Sequence, residues 1–209
     1  MKLVLLADEE RKKEFLSVPV PETCEITWFD GLPDTRLTGV DLLVDLHNQF
    51  SPERIRWIQQ QAIPCVMVSY PTASGELPGE FIRINGWPGF IGRTVIEGSA
   101  TDMRVRSLAE QSAASLNRNM EWIKGTTIFT SQRIIAAMIN EAFLLVSESV
   151  ASEEDIDTAM KLGTNYPYGP FEWAYKIGYA NLLIALEYDI KEKGQRNVSI
   201  LLKEKALAQ

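Results

Sequence analysis

Two rhythms of apolar and polar positions divide this chain. As far as Ala100, short apolar runs alternate with charged segments of helical spacing, and the runs predict strands over 3–6, 25–29, 41–46, 64–69 and 80–85. The segments between them predict helices over 9–16 and 52–61. Ser51 is suited to cap the second of these, and Pro52 to occupy its first position, where a missing N–H is not needed. Strands alternating with helices favour a mostly parallel sheet.

Beyond Ala100 the rhythm changes. Residues 102–116 read as a helix, 120–124 as a last strand, and Gly125 begins a connection. From there the chain is almost wholly helical. Within 131–150, Ile134, Ile135, Met138, Ile139, Ala142, Phe143 and Val146 recur at the spacing of one helix face. Ser152 followed by Asp155 makes a capping-box-like start, with Gly163 expected to close that helix. Pro170 starts another helix closed by Gly178, and Asn181 is expected to cap a third closed by Gly194. The predicted organisation is α/β plus all-α, in two domains, 1–125 and 126–209.

Charge and composition narrow the partners. The net charge is −7 and no stretch gathers Lys and Arg into a stripe, so a phosphate backbone would be repelled and no nucleic-acid partner is expected. The apolar run near the N-terminus gives way to charges too early for a signal peptide or a membrane span. The apolar-rich stretch 134–146 is interrupted by Asn140 and Glu141, as in a buried helix of a soluble protein. Cys24 and Cys65 match no metal or redox spacing and are expected to be reduced thiols in a cytoplasmic protein.

The segment 129–178 carries a more specific signal. Arg133, Asn140-Glu141-Ala142, Val150-Ala151-Ser152, Asp155-Ile156-Asp157, Ala159-Met160, Gly163, Pro167 and Gly169-Pro170-Phe171 follow one another without a gap. This pattern resembles the C-terminal domain of the 3-hydroxyacyl-CoA dehydrogenases. The resemblance implies a helical domain that forms a homodimer and closes over an acyl-CoA ligand. It implies a Rossmann-like domain before it, here shortened, and NAD as the cofactor. Physically, most of the motif is caps, glycines and a Pro-started helix, which speak to fold more than to chemistry.

The chemistry that the resemblance implies is not matched by the residues expected to perform it. A dinucleotide needs a glycine-rich turn after the first strand, so that the backbone can approach the diphosphate. The turn here is Ala7-Asp8-Glu9-Glu10, with no glycine and three carboxylates. Those acids read either as ligands or as ordinary first-turn helix acids. Asp30 reads either as a ribose-binding acid or as part of an Asp-Gly turn. Aligning NGWPGFIGRTVIE with the family's catalytic stretch puts Glu97 on its glutamate and Asn85 on its histidine base. The same resemblance puts Thr72 on a substrate-side serine and Gln132 on an asparagine.

All four positions can hydrogen-bond, but an Asn amide cannot accept a proton near neutral pH. They read either as a polar pocket or as satisfied strand-end and turn groups. His47, the one histidine, follows the third strand and is either a substitute base or a surface residue. No cofactor-binding set and no metal cluster stands out. The aromatic run from Tyr166 to Tyr175 reads as core and dimer contact. The expected function is that of a 3-hydroxyacyl-CoA dehydrogenase-like protein of acyl-CoA and fatty-acid metabolism with impaired or lost oxidation. The alternatives are a non-catalytic dimer that binds acyl-CoA or assembles with partners, and an enzyme whose nucleotide domain comes from another chain.

Overall fold

Apolar runs without alternation are what a sheet covered on both faces requires. In chain order, the first unit holds β1 (Lys2–Leu6), α1 (Glu9–Phe15), β2 (Glu25–Phe29), β3 (Leu42–Asp45), α2 (Pro52–Gln60), β4 (Cys65–Ser69), β5 (Phe81–Ile84), β6 (Val95–Ser99), α3 (Met103–Ala114) and β7 (Asn119–Trp122). In β1, Leu3 and Leu5 face one core together with Val44, Met67, Ile84, Phe15 of α1 and Ala109 of α3. Val4 and Leu6 face the other, with Leu43, Val68 and the α2 residues Ile55 and Ile58. Each leucine so buried contributes roughly 2 kcal/mol of transfer free energy. The computed structural model describes residues 1–48, 51–70, 77–123, 128–193 and 197–208. The chain forms two units, Met1–Thr126 and Thr127–Gln209.

The sheet order is β2-β1-β3-β4-β5-β6-β7. Pairs from β2 through β5 are parallel, β5 and β6 are antiparallel, and β6 and β7 are parallel again. The chain therefore winds outward from β1 in both directions, and the crevice between the C-terminal ends of β1 and β3 is the topological switch point. In the dinucleotide-binding version of this fold a further strand lies outside the second. Here, among the described residues, β2 is the edge.

The second unit holds α4 (Thr130–Ser147), α5 (Glu153–Thr164), α6 (Pro170–Ile177), α7 (Tyr179–Lys193) and α8 (Ile200–Leu207). Ser152 caps α5 as expected: its hydroxyl accepts the Asp155 N–H at 3.1 Å and donates to the Asp155 carboxylate at 2.7 Å. Pro170 opens α6, and Gly178, at φ 87°, closes it. Two expectations fail. Gly163 lies inside α5, and the left-handed residue that ends the helix is Asn165, at φ 56°. Asn181 lies inside α7, its amide donating to the Ile177 carbonyl at 3.0 Å, so that the chain turns at Gly178 and is helical again at once. Gly194 is outside the described residues.

β6 was not expected as a strand. It is short, interrupted by Gly98, and paired with β5 over only two residues, so it carries no apolar run. No helix among the described residues is long and apolar enough to cross a membrane.

Candidate functional site

Asn85 and Glu97, far apart in sequence, meet where β5 ends beside β6. The Asn85 backbone N–H donates to the Glu97 carbonyl at 3.0 Å, and its side-chain amide donates to the Glu97 carboxylate at 2.9 Å. The amide oxygen accepts the N–H of the buried Trp87 at 3.1 Å. Both ends of the amide are thus engaged and its orientation is fixed. The neighbouring glycine is a packing requirement, because a Cβ on Gly86 would lie 2.2 Å from the Ser69 hydroxyl. A cavity of about 10 Å³, lined by Phe15, Leu46, Phe90, Ile91 and Arg118, adjoins Asn85. That is room for about one water. The pair can hold a hydrogen-bonding group in place, but it has no base to take a proton.

Gln132 is buried in α4, its side-chain oxygen accepting the Phe129 N–H at 3.4 Å at the head of that helix. It belongs to the second unit, and Thr72 lies outside the described residues. His47 belongs to a different cluster from Asn85 and Glu97. It follows β3 at the switch point, its backbone N–H donating to Asp45 at 3.1 Å. The Asp45 carboxylate is held by Arg54 of α2 through two bonds of 2.5 and 2.8 Å, both side chains buried. Burial pushes the His47 imidazole below its ordinary pKa; Asp45 and Asp8 oppose that shift while Arg54 and Arg11 add to it. His47 is therefore half-buried and tuned towards the neutral form. Asp30 sits exposed in the bend before Gly31, whose φ is 125°, which is a turn role.

The turn after β1 is closed by its own side chains. Asp8 is the N-cap of α1: its carboxylate accepts the Arg11 N–H at 2.8 Å and pairs with the Arg11 guanidinium. Burial alone would raise the Asp8 pKa, but the Arg11 N–H and charge outweigh it and hold the carboxyl low. From the β2 side, the Trp28 indole donates to the Ala7 carbonyl at 2.7 Å, and the Lys12 ammonium lies 3.7 Å from the centre of the Trp28 ring. Glu9 and Glu10 complete the first turn of the helix.

In the second unit the motif residues work as fasteners. Asp157 of α5 accepts the N–H groups of Phe171 and Glu172 at 2.7 and 3.1 Å, capping α6 from outside. Gly169 is obligatory beside it, since a Cβ there would lie 2.3 Å from the Asp157 carboxyl carbon. Asn140 of α4 ties down the approach to α8, accepting from Ser199 N–H at 2.9 Å and donating to the Asn197 carbonyl at 3.1 Å. Arg133 pairs with Asp189 of α7 at 2.7 Å. Phe171 and Trp173 are core, Phe171 stacking on Phe143 at 4.8 Å, whereas Tyr175 is 73% exposed.

Sequence reasoning passed over the Asp45–Arg54 pair. The available signal was a carboxylate near the end of an otherwise apolar strand, which has to find a cation if it is buried.

Comparison with known proteins follows the same division. The family model for the 3-hydroxyacyl-CoA dehydrogenase C-terminal domain matches residues 129–208. The 3-hydroxyadipyl-CoA dehydrogenase of Escherichia coli K12 is 46% identical over 78 residues, covering 36% of this chain and 16% of that protein. The "Probable 3-hydroxybutyryl-CoA dehydrogenase" of Deinococcus radiodurans is 34% identical over 150 residues, 70% of this chain and 53% of that protein. These alignments thus span about half or less of the relatives' own lengths. The crystal structure of (S)-3-hydroxybutyryl-CoA dehydrogenase from Ralstonia eutropha matches with a TM-score of 0.66 at 18% identity, covering 99% of this chain and 93% of that one. At that identity the likeness is one of fold: a Rossmann-like sheet domain followed by a helical domain.

Proposed function

This chain belongs to the 3-hydroxyacyl-CoA dehydrogenase family, and from that premise we propose that it is a divergent member in acyl-CoA and fatty-acid metabolism that has lost NAD-dependent oxidation. The observation that carries this reading is the Asp8 carboxylate at the head of α1, taking the helix N–H that a diphosphate would need.

The fit of NAD to these residues is poor on three counts. The turn has no glycine to admit the phosphates. Its free N–H is spent on Asp8, and Glu9 and Glu10 would face a polyanion without compensating charge. Trp28 and Lys12 cover the turn from the β2 side. Oxidation of a secondary alcohol also needs a base for the hydroxyl proton, and Asn85 beside Glu97 offers none. What the pair can do is orient: the Asn85 amide is held by Glu97 and Trp87 as a fixed polar group.

The test is acetoacetyl-CoA turnover followed by NADH absorbance. We expect no oxidation above background, and none in Asn85→His, which supplies an imidazole but no dinucleotide site. Turnover by the unaltered chain, abolished in His47→Ala, would instead make His47 a substitute base and return the protein to the dehydrogenases.

One observation favours a second reading, a non-catalytic dimer that binds acyl-CoA or an assembly partner. In the helical unit a cavity of about 670 Å³ lies among α4, α7 and α8, lined mainly by Leu144, Ile190, Val198 and Ile200. Ile134, Leu162 and Tyr175 leave further apolar surface exposed on that unit. Binding of acetoacetyl-CoA without NADH, together with a light-scattering mass of twice 23.5 kDa, supports this reading, and a monomer that ignores the thioester removes it.

A further inference from the structure

Three buried nitrogens cluster near the switch point without hydrogen-bond partners: Arg11 Nε, His47 Nε2 and Asn48 Nδ2. They do not belong to the Asn85–Glu97 pair, and the closed turn does not use them. Unsatisfied buried donors are costly and rare, so a set of them at one place calls for an occupant.

Their surroundings define its chemistry. Asp8 is already satisfied by Arg11, and Asp45 by Arg54 and the His47 N–H. The two carboxylates and two guanidinium groups cancel, and burial keeps His47 towards neutral, so the cluster carries no net charge. What remains is capacity to donate. Asn48 is 7% exposed and held at φ 54°; its side-chain oxygen accepts from Ser69 at the end of β4, which leaves the amide N–H groups for something else. The Arg11 and Asp8 side chains are 18% and 37% exposed, so the cluster is open to solvent on the α1 side.

We propose that the C-terminal ends of β1 and β3 bind a small monocarboxylate, its oxygens accepting from Arg11 Nε and Asn48 Nδ2 and from His47 Nε2. A guanidinium N–H beside amide and imidazole N–H groups suits a carboxylate, for which charge-assisted bonds are strongest. A phosphate dianion or a dinucleotide fits less well, because Asp8 and Asp45 flank the place and their countercharges are spent. Binding one negative charge favours the imidazolium form of His47, so the carboxylate and a proton enter together. The groups facing His47 in that balance are Asp45 of β3, Arg54 of α2, and Asp8 and Arg11 at the head of α1. This inference rests on the reading that the turn excludes a dinucleotide, but it stands or falls on a separate measurement.

His47 is the only histidine, so its imidazole signals in an NMR spectrum are unambiguous. Acetate, inorganic phosphate, acetamide and NADH are each titrated into the full chain at fixed ionic strength, and the His47 resonances are followed against pH. The expected result is a saturable shift with acetate that raises the His47 midpoint and tightens as pH falls. Phosphate and acetamide should bind at least about tenfold more weakly.

Asn48→Asp keeps an acceptor for Ser69 while replacing the free amide with a negative charge, and it should abolish the acetate effect. An unchanged spectrum without ligand shows that this variant is folded. If Asn48→Asp leaves acetate binding intact, or if acetate shifts His47 no more than an equal concentration of chloride, the inference is overturned: the nitrogens then face water alone. If NADH saturates the site and displaces acetate, the proposed loss of the dinucleotide fails while the site itself survives.

Discussion

The helical unit and the C-terminal edge of the sheet treat the same inheritance in opposite ways. In the helical unit nearly every motif residue has a mechanical task that only its own side chain performs: Asp157 caps α6, Gly169 makes room for Asp157, and Asn140 fastens the approach to α8. At the sheet edge the architecture is kept while the chemistry is replaced, with Asp8 where a glycine turn would serve a diphosphate and Asn85 where a base would serve the reaction. The identities follow this split. They reach 46% over 78 residues in the best-matched stretch, whereas likeness of fold extends over 99% of the chain at 18%. A sheet core asks only for apolar volume, which many sequences supply. A helix cap asks for one oxygen in one place, and a reaction asks for one pKa.

The comparison can be strained from either side. The largest effect belongs to the sheet: Arg54→Met leaves Asp45 buried without its cation and should lower unfolding free energy by about 3–5 kcal/mol, read from urea denaturation. In the helical unit, Gly169→Ala drives a methyl into Asp157 and should cost about 1–3 kcal/mol by the same measurement. Asp157→Ala removes two cap bonds at about 1–2 kcal/mol. Because the methyl no longer meets a carboxylate there, the double variant should cost less than the sum of the two. Strict additivity would mean that Gly169 is not there to make room for Asp157.

The smallest effect is one of pH. Burial holds the folded His47 imidazole below its ordinary value of 6.5, so the unfolded chain binds the proton more readily. That contribution to stability is complete above pH 6.5 and is lost as pH falls through that value towards the folded pKa. His47→Gln should flatten the stability profile over that window, and an unchanged slope would assign it to the carboxylates.

Much of the sheet was legible because its central strands are uninterrupted apolar runs, as in Leu3 to Leu6, and because Ser51, Pro52, Ser152, Pro170 and Gly178 mark helix ends by backbone chemistry alone. β6 was not legible, being half-exposed and held by its neighbours rather than by its own pattern. Gly163 and Asn181 misled for a related reason. Glycine and asparagine permit a helix end without requiring one, and packing set the ends elsewhere. The meeting of Asn85 with Glu97 came from resemblance, and the structure supplies the hydrogen bond. The Asp45–Arg54 pair and the free nitrogens of Arg11, His47 and Asn48 depend on which strand ends lie side by side, and no local pattern records that.

Calorimetric titration of the full chain with NADH tests the central claim most directly. With Asp8 already seated on the α1 N–H, the account predicts no heat beyond dilution up to millimolar nucleotide. A saturable isotherm with a micromolar Kd, weakened by substitutions in the turn that contains Asp8, would contradict it.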